Sequence, residues 1–318
     1  MGKAWLLVVT LVLALASLFS GVTPLHPADV LAGLSDMQVR VLVLSRVPRL
    51  VSILLAGMSM SVCGLIMQRL AQNRFVSPTT AGTLDATRLG ILVAMILFSA
   101  APPLVRMLVA FAFAWLGTWA FMRLLERIQL RDPIFIPLAG MMYGGIIGAA
   151  ATFIAVRYDL VQNMSSWLLG DFSLMMRGRY ELLYAVIPAL VLAYAYANQF
   201  TIAGMGEDVA TNLGLSYRAV VNLGLGIVAV TTAVVVVTVG TLPFLGLIVP
   251  NLVSILWGDN LRRYLPVTVM LGAVVTLACD LLGRWLIFPY EIPINVTLGV
   301  LGSVMFLFLI VRRTAHAG

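Results

Sequence analysis

The sequence predicts an all-α polytopic membrane protein with about ten transmembrane helices, and three observations carry that prediction. The chain has 318 residues, of which 61% are hydrophobic and only 10% charged. Runs of roughly 20 apolar residues recur from end to end, each able to cross a hydrocarbon core of ~30 Å as a helix that satisfies its own backbone. Between the runs nothing is long enough for a soluble domain, so residues 1–318 read as a single transmembrane domain.

The elements follow in order. Ala4 to Phe19 is an apolar run after Lys3, with small residues at Ser20 and Gly21. It resembles a secretory signal, but is read as a retained span because nine spans would leave the termini on opposite sides. Leu50 to Met67 is the second span, introduced by Arg46-Val47-Pro48-Arg49 and followed by Gln68 and the turn-rich segment Asn73 to Gly82. Leu89 to Phe98 is short and is expected to extend back into Gly82 to Arg88; Met107 to Leu124 is the fourth. Ile134 to Val156 carries Gly140, Gly144 and Gly148 at four-residue spacing, a pattern that lets helices approach closely. Leu160 to Leu169 is read as an extra helix that does not span, closed by Trp167 to Asp171. Leu182 to Ala197 and Ala219 to Val237 are the sixth and seventh spans. Leu242 to Trp257, the eighth, opens in Gly240 to Asn251 (GTLPFLGLIVPN), where proline and glycine should loosen the helix and leave irregular backbone. Val267 to Ile287 and Ile294 to Val311 complete the set.

Charge orients the bundle. With ten spans and a cytoplasmic amino terminus, Arg40, Arg46, Arg49, Arg106, Arg157, Arg177, Arg179 and Arg284 fall outside and the other twelve of the 20 basic residues fall inside. That bias places both termini in the cytoplasm and explains most of the +7 net charge without a nucleic acid partner.

What the chain lacks narrows the class. Lys3 is the only lysine, so no phosphate-binding loop of the G-x-x-x-x-G-K-[ST] type exists, and any ATP must be hydrolysed by another chain. A secondary transporter is expected to place ionisable groups near the midplane for ion coupling. Asp280 reads as the only acid deep inside a span, four residues before Arg284 on the same helical face, where the two form a structural ion pair. Cys63 and Cys279 lie in apolar runs as packing residues. His26 and His316 stand at opposite ends of the chain, so no intrinsic metal site, cofactor or catalytic residue is expected. Met58, Met60 and Met67 read first as packing or lipid-facing residues, and second as flexible lining of a cargo cavity.

One polar stretch interrupts the apolar pattern: Gly204 to Gly214, GMGEDVATNLG, within an insert at residues 200–217. Glu207 and Asp208 open a short helical pattern, Val209, Ala210 and Leu213 share its apolar face, and Gly214 stops it. The Glu207 carboxylate is expected to cap the helix start. Such an element suits either a groove on a soluble partner or the bilayer surface. At the opposite side, Arg46 and Arg49 stand against the positive-inside trend, which an acidic partner explains better than topology does.

Taken in order, Arg46 to Arg49, Asn73 to Gly82, GMGEDVATNLG, GTLPFLGLIVPN, Gly258 to Arg263, Asp280 with Arg284, and Glu291 to Gly299 (EIPINVTLG) resemble the iron-siderophore permeases of the FecCD type, a family that includes cobalamin and haem importers. The resemblance implies a type II ABC importer permease fold. It further implies a second permease subunit (a homologous chain, or a second copy), two cytoplasmic ATPase subunits, and an extracytoplasmic siderophore-binding protein. On this resemblance Arg46, Arg49 and Arg284 receive acidic residues of the binding protein, as rim charges worth ~0 to 1 kcal/mol each. Gly206, Glu207, Ala210, Leu213 and Gly214 match the element that sits in the ATPase groove. Two departures from the family pattern, Asn251 with Ser254 and Ser303-Val304 after Gly302, resemble a subgroup importing catecholate or mixed-catechol siderophores of the enterobactin, petrobactin, vibriobactin and anguibactin kind. The alternatives are import of cobalamin or haem by the same mechanism, a secondary transporter of a small metabolite, and a non-transporting membrane scaffold or receptor subunit.

Overall fold

The computed structural model describes residues 4–21, 25, 29, 33–78, 82–128, 135–258 and 260–314. Lys3, His26, Arg131, Asp259 and His316 of the sequence reading lie outside the described residues. The described residues form helices and no strands. In chain order these are α1 (Ala4–Phe19), α2 (Asp36–Val41), a π-helical turn (Leu42–Arg46) and α3 (Val47–Leu70). Next come α4 (Thr83–Leu97), α5 (Pro103–Ile128), α6 (Phe135–Arg157) and the short α7 (Val161–Leu168). A 3-10 turn (Glu181–Ala185) leads into α8 (Val186–Ala195), followed by α9 (Ala197–Ala203) and α10 (Glu207–Asn212). The last four are α11 (Tyr217–Val239), α12 (Leu245–Trp257), α13 (Leu261–Trp285) and α14 (Ile294–Thr314).

Among the described residues five helices are individually long and apolar enough to cross a membrane, and the segments Glu181–Ala195 and Ala197–Ala203, bent by 62°, pass the same test when taken together as a sixth. With the shorter apolar helices α1, α12 and α14, and with α4, this is the ten-span arrangement that the sequence predicts. α4 starts at Thr83, the extension back into Gly82 to Arg88 that the sequence predicts, so Arg88, counted as cytoplasmic, lies inside a helix beside Asp85. Asp280 is therefore not the only acid in a span: the Asp85 carboxylate lies against the bare faces of Gly144 and Gly148 on α6, where a Cβ would come within 2.6 Å and 2.8 Å of its oxygens. α12 starts at Leu245 instead of Leu242 and runs unbroken through Pro250. The irregular backbone precedes it, with Gly240 closing α11 and Phe244 left-handed at φ 61°.

α3 and α11 are the buried axis. α3 packs against α11, α12 and α13, whereas α5 and α6 lie at the perimeter with much of their apolar surface exposed. The cross-over of α3 and α12 is a backbone contact: a Cβ on Gly64 would sit 1.8 Å from the Gly246 carbonyl oxygen, so no other residue fits. Met60 and Met67 are buried core residues, as are the free cysteines Cys63 and Cys279, so these methionines pack rather than line a cavity.

Candidate functional site

Chain direction gives the bundle a near end, where α1 begins, and an opposite far end. At the far end the sequence motifs knit together. Leu168 and Gly170 of the WLLGD segment accept hydrogen bonds from Thr241 and Asn295 backbone N–H groups at 3.0 Å and 3.1 Å, and Asp171 N–H donates to Val239 at 3.1 Å. Asn295 Nδ2 donates to Thr241 Oγ1 at 3.2 Å. The irregular link 240–244 is thus satisfied inside the protein, as backbone at membrane depth must be.

The same end holds Arg46, Arg49, Asp280, Arg284 and Glu291. Arg49 donates to Asp280 Oδ1 at 2.9 Å and to Glu291 Oε2 at 2.7 Å. Arg284 Nη2 pairs with the other oxygen of Asp280, while its Nη1 reaches the Ser17 and Ser20 carbonyls at 3.1 Å and 3.3 Å. Arg46 donates to the Leu18 carbonyl. The end of α1 therefore serves as a carbonyl cap for two arginines. Arg46 and Arg284 are only 7% and 6% exposed, so they are buried side chains engaged within the chain, not the open rim charges of the sequence reading. Asp280 bridges two arginines rather than one, and three cations face two anions. Glu291 was visible in the EIPINVTLG motif, yet nothing in its spacing from Arg49, 242 positions away, announces the pairing.

At the near end α9 and α10 form the polar insert. Gly206, with φ of 110°, is the residue at the helix start, and Glu207 is the first helical residue with no capping hydrogen bond; the expected carboxylate cap is replaced by a glycine turn. The far side of α10 closes in a Schellman turn: Leu215 N–H donates to Ala210 at 2.9 Å, Gly214 N–H donates to Thr211 at 2.9 Å, and Gly214 is left-handed at φ 79°. The apolar residues do not share one face. Ala210 is fully buried beneath the helix, while Leu213 is 62% exposed and Val209 and Met205 are exposed with it. A glycine-hinged helix thus offers an apolar stripe and two acids outward while its alanine seats it on the bundle.

Sequence reasoning missed the clamp behind this element. Gln68 Nε2 donates to the Leu247 carbonyl at 3.2 Å, and Asn251 Nδ2 donates to Leu247 and Arg74 carbonyls at 2.8 Å and 2.9 Å. A cavity of about 160 Å³ lies there, lined in part by Arg69, Gln72, Gly204 and Asn251. The loop after α3, the hinge before α10 and α12 are joined through it. Among the described residues no cluster of His, Cys, Asp or Glu has metal-binding geometry.

Three comparisons bear on this arrangement. The FecCD transport family matches residues 8–312. The petrobactin import system permease protein YclN of Bacillus subtilis (strain 168) is 58% identical over 313 residues, covering 98% of this chain and 99% of that protein. The ferric-anguibactin transport system permease protein FatD of Vibrio anguillarum (strain ATCC 68554 / 775) is 40% identical over 271 residues, 85% of this chain and 86% of its own length. In structure, an inward-facing ABC transporter described as metal-chelate type superimposes with a TM-score of 0.85 over 97% of this chain and 98% of that one, at 21% identity.

Proposed function

The chain belongs to the FecCD transport family, and from that premise we propose that it is the permease subunit of an ABC importer that carries a ferric siderophore of the catecholate type, petrobactin-like, across the cytoplasmic membrane. The observation that carries this reading is 58% identity to a petrobactin permease along nearly the whole of both chains. The chain is a non-catalytic membrane subunit, and a separate ATPase hydrolyses ATP.

The near end is the cytoplasmic end, with both termini there, and the insert 200–217 is the coupling element. Val209 and Leu213 enter a groove on an ATPase subunit, Glu207 meets its rim, Gly206 and Gly214 set the helix's ends, and Ala210 passes the load to the bundle. Because the hinge at Gly204 lies against the Arg69 carbonyl, movement of α10 is delivered to the last turn of α3 and through Asn251 to α12. The far end faces the binding protein. Arg46, Arg49 and Arg284 supply its excess positive charge, and a partner carboxylate reaches Arg49 by taking the place of the partly exposed Glu291. Two such permeases, homologous or identical, enclose the pathway, and ATP-driven closure alternates its access.

Uptake of labelled ferric petrobactin by cells carrying the full importer tests this. Uptake is expected to require the co-expressed ATPase and to stop when that ATPase cannot hydrolyse ATP. Persistent uptake with the inactive ATPase overturns ATP-driven import in favour of a secondary transporter. Uptake of haem or cobalamin with none of the ferric siderophore overturns the cargo.

A further inference from the structure

A second feature of the far end lies apart from the Arg46, Arg49 and Arg284 cluster. A cavity of about 500 Å³ opens between the turn joining α4 to α5, the helix α7, the segment 169–179 and the last turn of α11. Two arginines line it, Arg106 and Arg179, and among the described residues neither is in an ion pair. Arg106 Nε is shielded from solvent and has no hydrogen-bond partner. Its guanidinium lies 5.9 Å from the ring centre of Trp167, and that ring is fixed by an Nε1 hydrogen bond of 3.0 Å to the Val237 carbonyl. Asp171, the carboxylate of the lining, is already engaged by Ser173 through N–H at 2.8 Å and Oγ at 2.6 Å.

The rest of the lining is largely apolar, with Met95, Met107 and Met175, and the neighbouring outward residues Leu104 and Leu108 of α5 are exposed. Unpaired guanidinium groups, an aromatic ring beside them and an apolar helix leading away match the chemistry of an amphiphile with an anionic head: phosphate on the arginines, acyl chain along α5. α5 lies at the perimeter of the bundle, with little of its apolar surface covered by the rest of the chain.

We propose that this cavity binds the phosphate of an anionic phospholipid of the outer leaflet, held by Arg106 and Arg179 beside Trp167. The assembled importer, extracted in detergent and offered equal amounts of phosphatidylglycerol and phosphatidylcholine, is expected to retain the anionic lipid with a preference of about tenfold in native mass spectrometry. The Arg106→Gln, Arg179→Gln double variant is expected to lose that preference, and the Arg106→Lys, Arg179→Lys variant to keep most of it. No preference in the native complex overturns the proposal whatever the variants do. So does equal loss in the lysine and glutamine variants, since charge would then not hold the lipid. If inorganic phosphate at millimolar concentration displaces the lipid completely, the site takes a free anion and the lipid assignment is wrong. If the glutamine variant keeps its lipid but loses capture of the binding protein, the cavity is a protein contact instead.

Discussion

Asp280 shows how much one buried carboxylate can carry inside a helix bundle. Its side chain is 3% exposed and accepts from Arg49 and Arg284 at once, so removing its charge leaves two guanidinium groups buried against each other. Breaking a buried pair from one side costs ~3–5 kcal/mol, whereas replacing both partners by apolar residues is often close to neutral. Asp280→Asn is therefore expected to lower the thermal unfolding midpoint of the solubilised complex sharply. The double change Asp280→Leu, Arg284→Met should recover part of it. Glu291 is 29% exposed, and its pairing with Arg49 is solvent-screened, so Glu291→Gln should cost only about 1 kcal/mol or less. Equal midpoints for Asp280→Asn and Glu291→Gln would show that Asp280 does not hold the cluster together. Sequence spacing exposed the Asp280 and Arg284 partnership because i and i+4 share a helical face, but the contribution of Arg49 depends on how α3 and α13 cross, and no local pattern encodes that.

At the scale of the element, α10 and its C-cap separate a residue that packs, Ala210, from the exposed residues to which the proposed coupling role is assigned, Val209 and Leu213. Ala210 is buried, so a charge there would be driven into the bundle; Val209 and Leu213 are exposed and no described packing depends on them. Val209→Asp with Leu213→Asp is expected to leave the permease as stable and as abundant as the native chain while abolishing co-purification of the ATPase. Retained ATPase with normal uptake would remove α10 from the interface. Gly206, at φ 110°, should tolerate alanine poorly, at a cost of roughly 1–3 kcal/mol, because the turn into α10 needs a left-handed residue. The glycines and the short helix were legible as a stop, a start and an apolar period. Which apolar residue faces inward was not, because a six-residue helix has too few turns for its periodicity to fix a direction.

For the whole molecule, the ten spans were legible because each must carry its own apolar length, a constraint written locally in the chain. Their mutual packing was less so: the glycine spacing in α6 announced a close approach, but not that Asp85 would occupy it, and the contact of Gly64 with Gly246 joins positions far apart in sequence. Transmembrane helices gain little from hydrophobic segregation once inserted, so the bundle relies on such close contacts for its shape. α3 and α12 meet where Gln68 and Asn251 also tie the near-end loop, so separating these helices should disturb folding and coupling together. Gly64→Ala places a methyl group where the Gly246 carbonyl stands, and neither backbone can yield without moving its helix. The expected result is a destabilisation of ~1–3 kcal/mol or more, with loss of ATP-dependent uptake. Gly226 on α11 supplies the control, since a Cβ there meets no atom within 4 Å. Gly226→Ala should be neutral or stabilise its helix by about 0.5–1 kcal/mol, with uptake intact. Measured side by side in thermal unfolding of the assembled importer, a Gly64→Ala complex as stable and active as Gly226→Ala would mean that α3 and α12 do not touch through their backbones, and would overturn the proposed path from the insert 200–217 to α12.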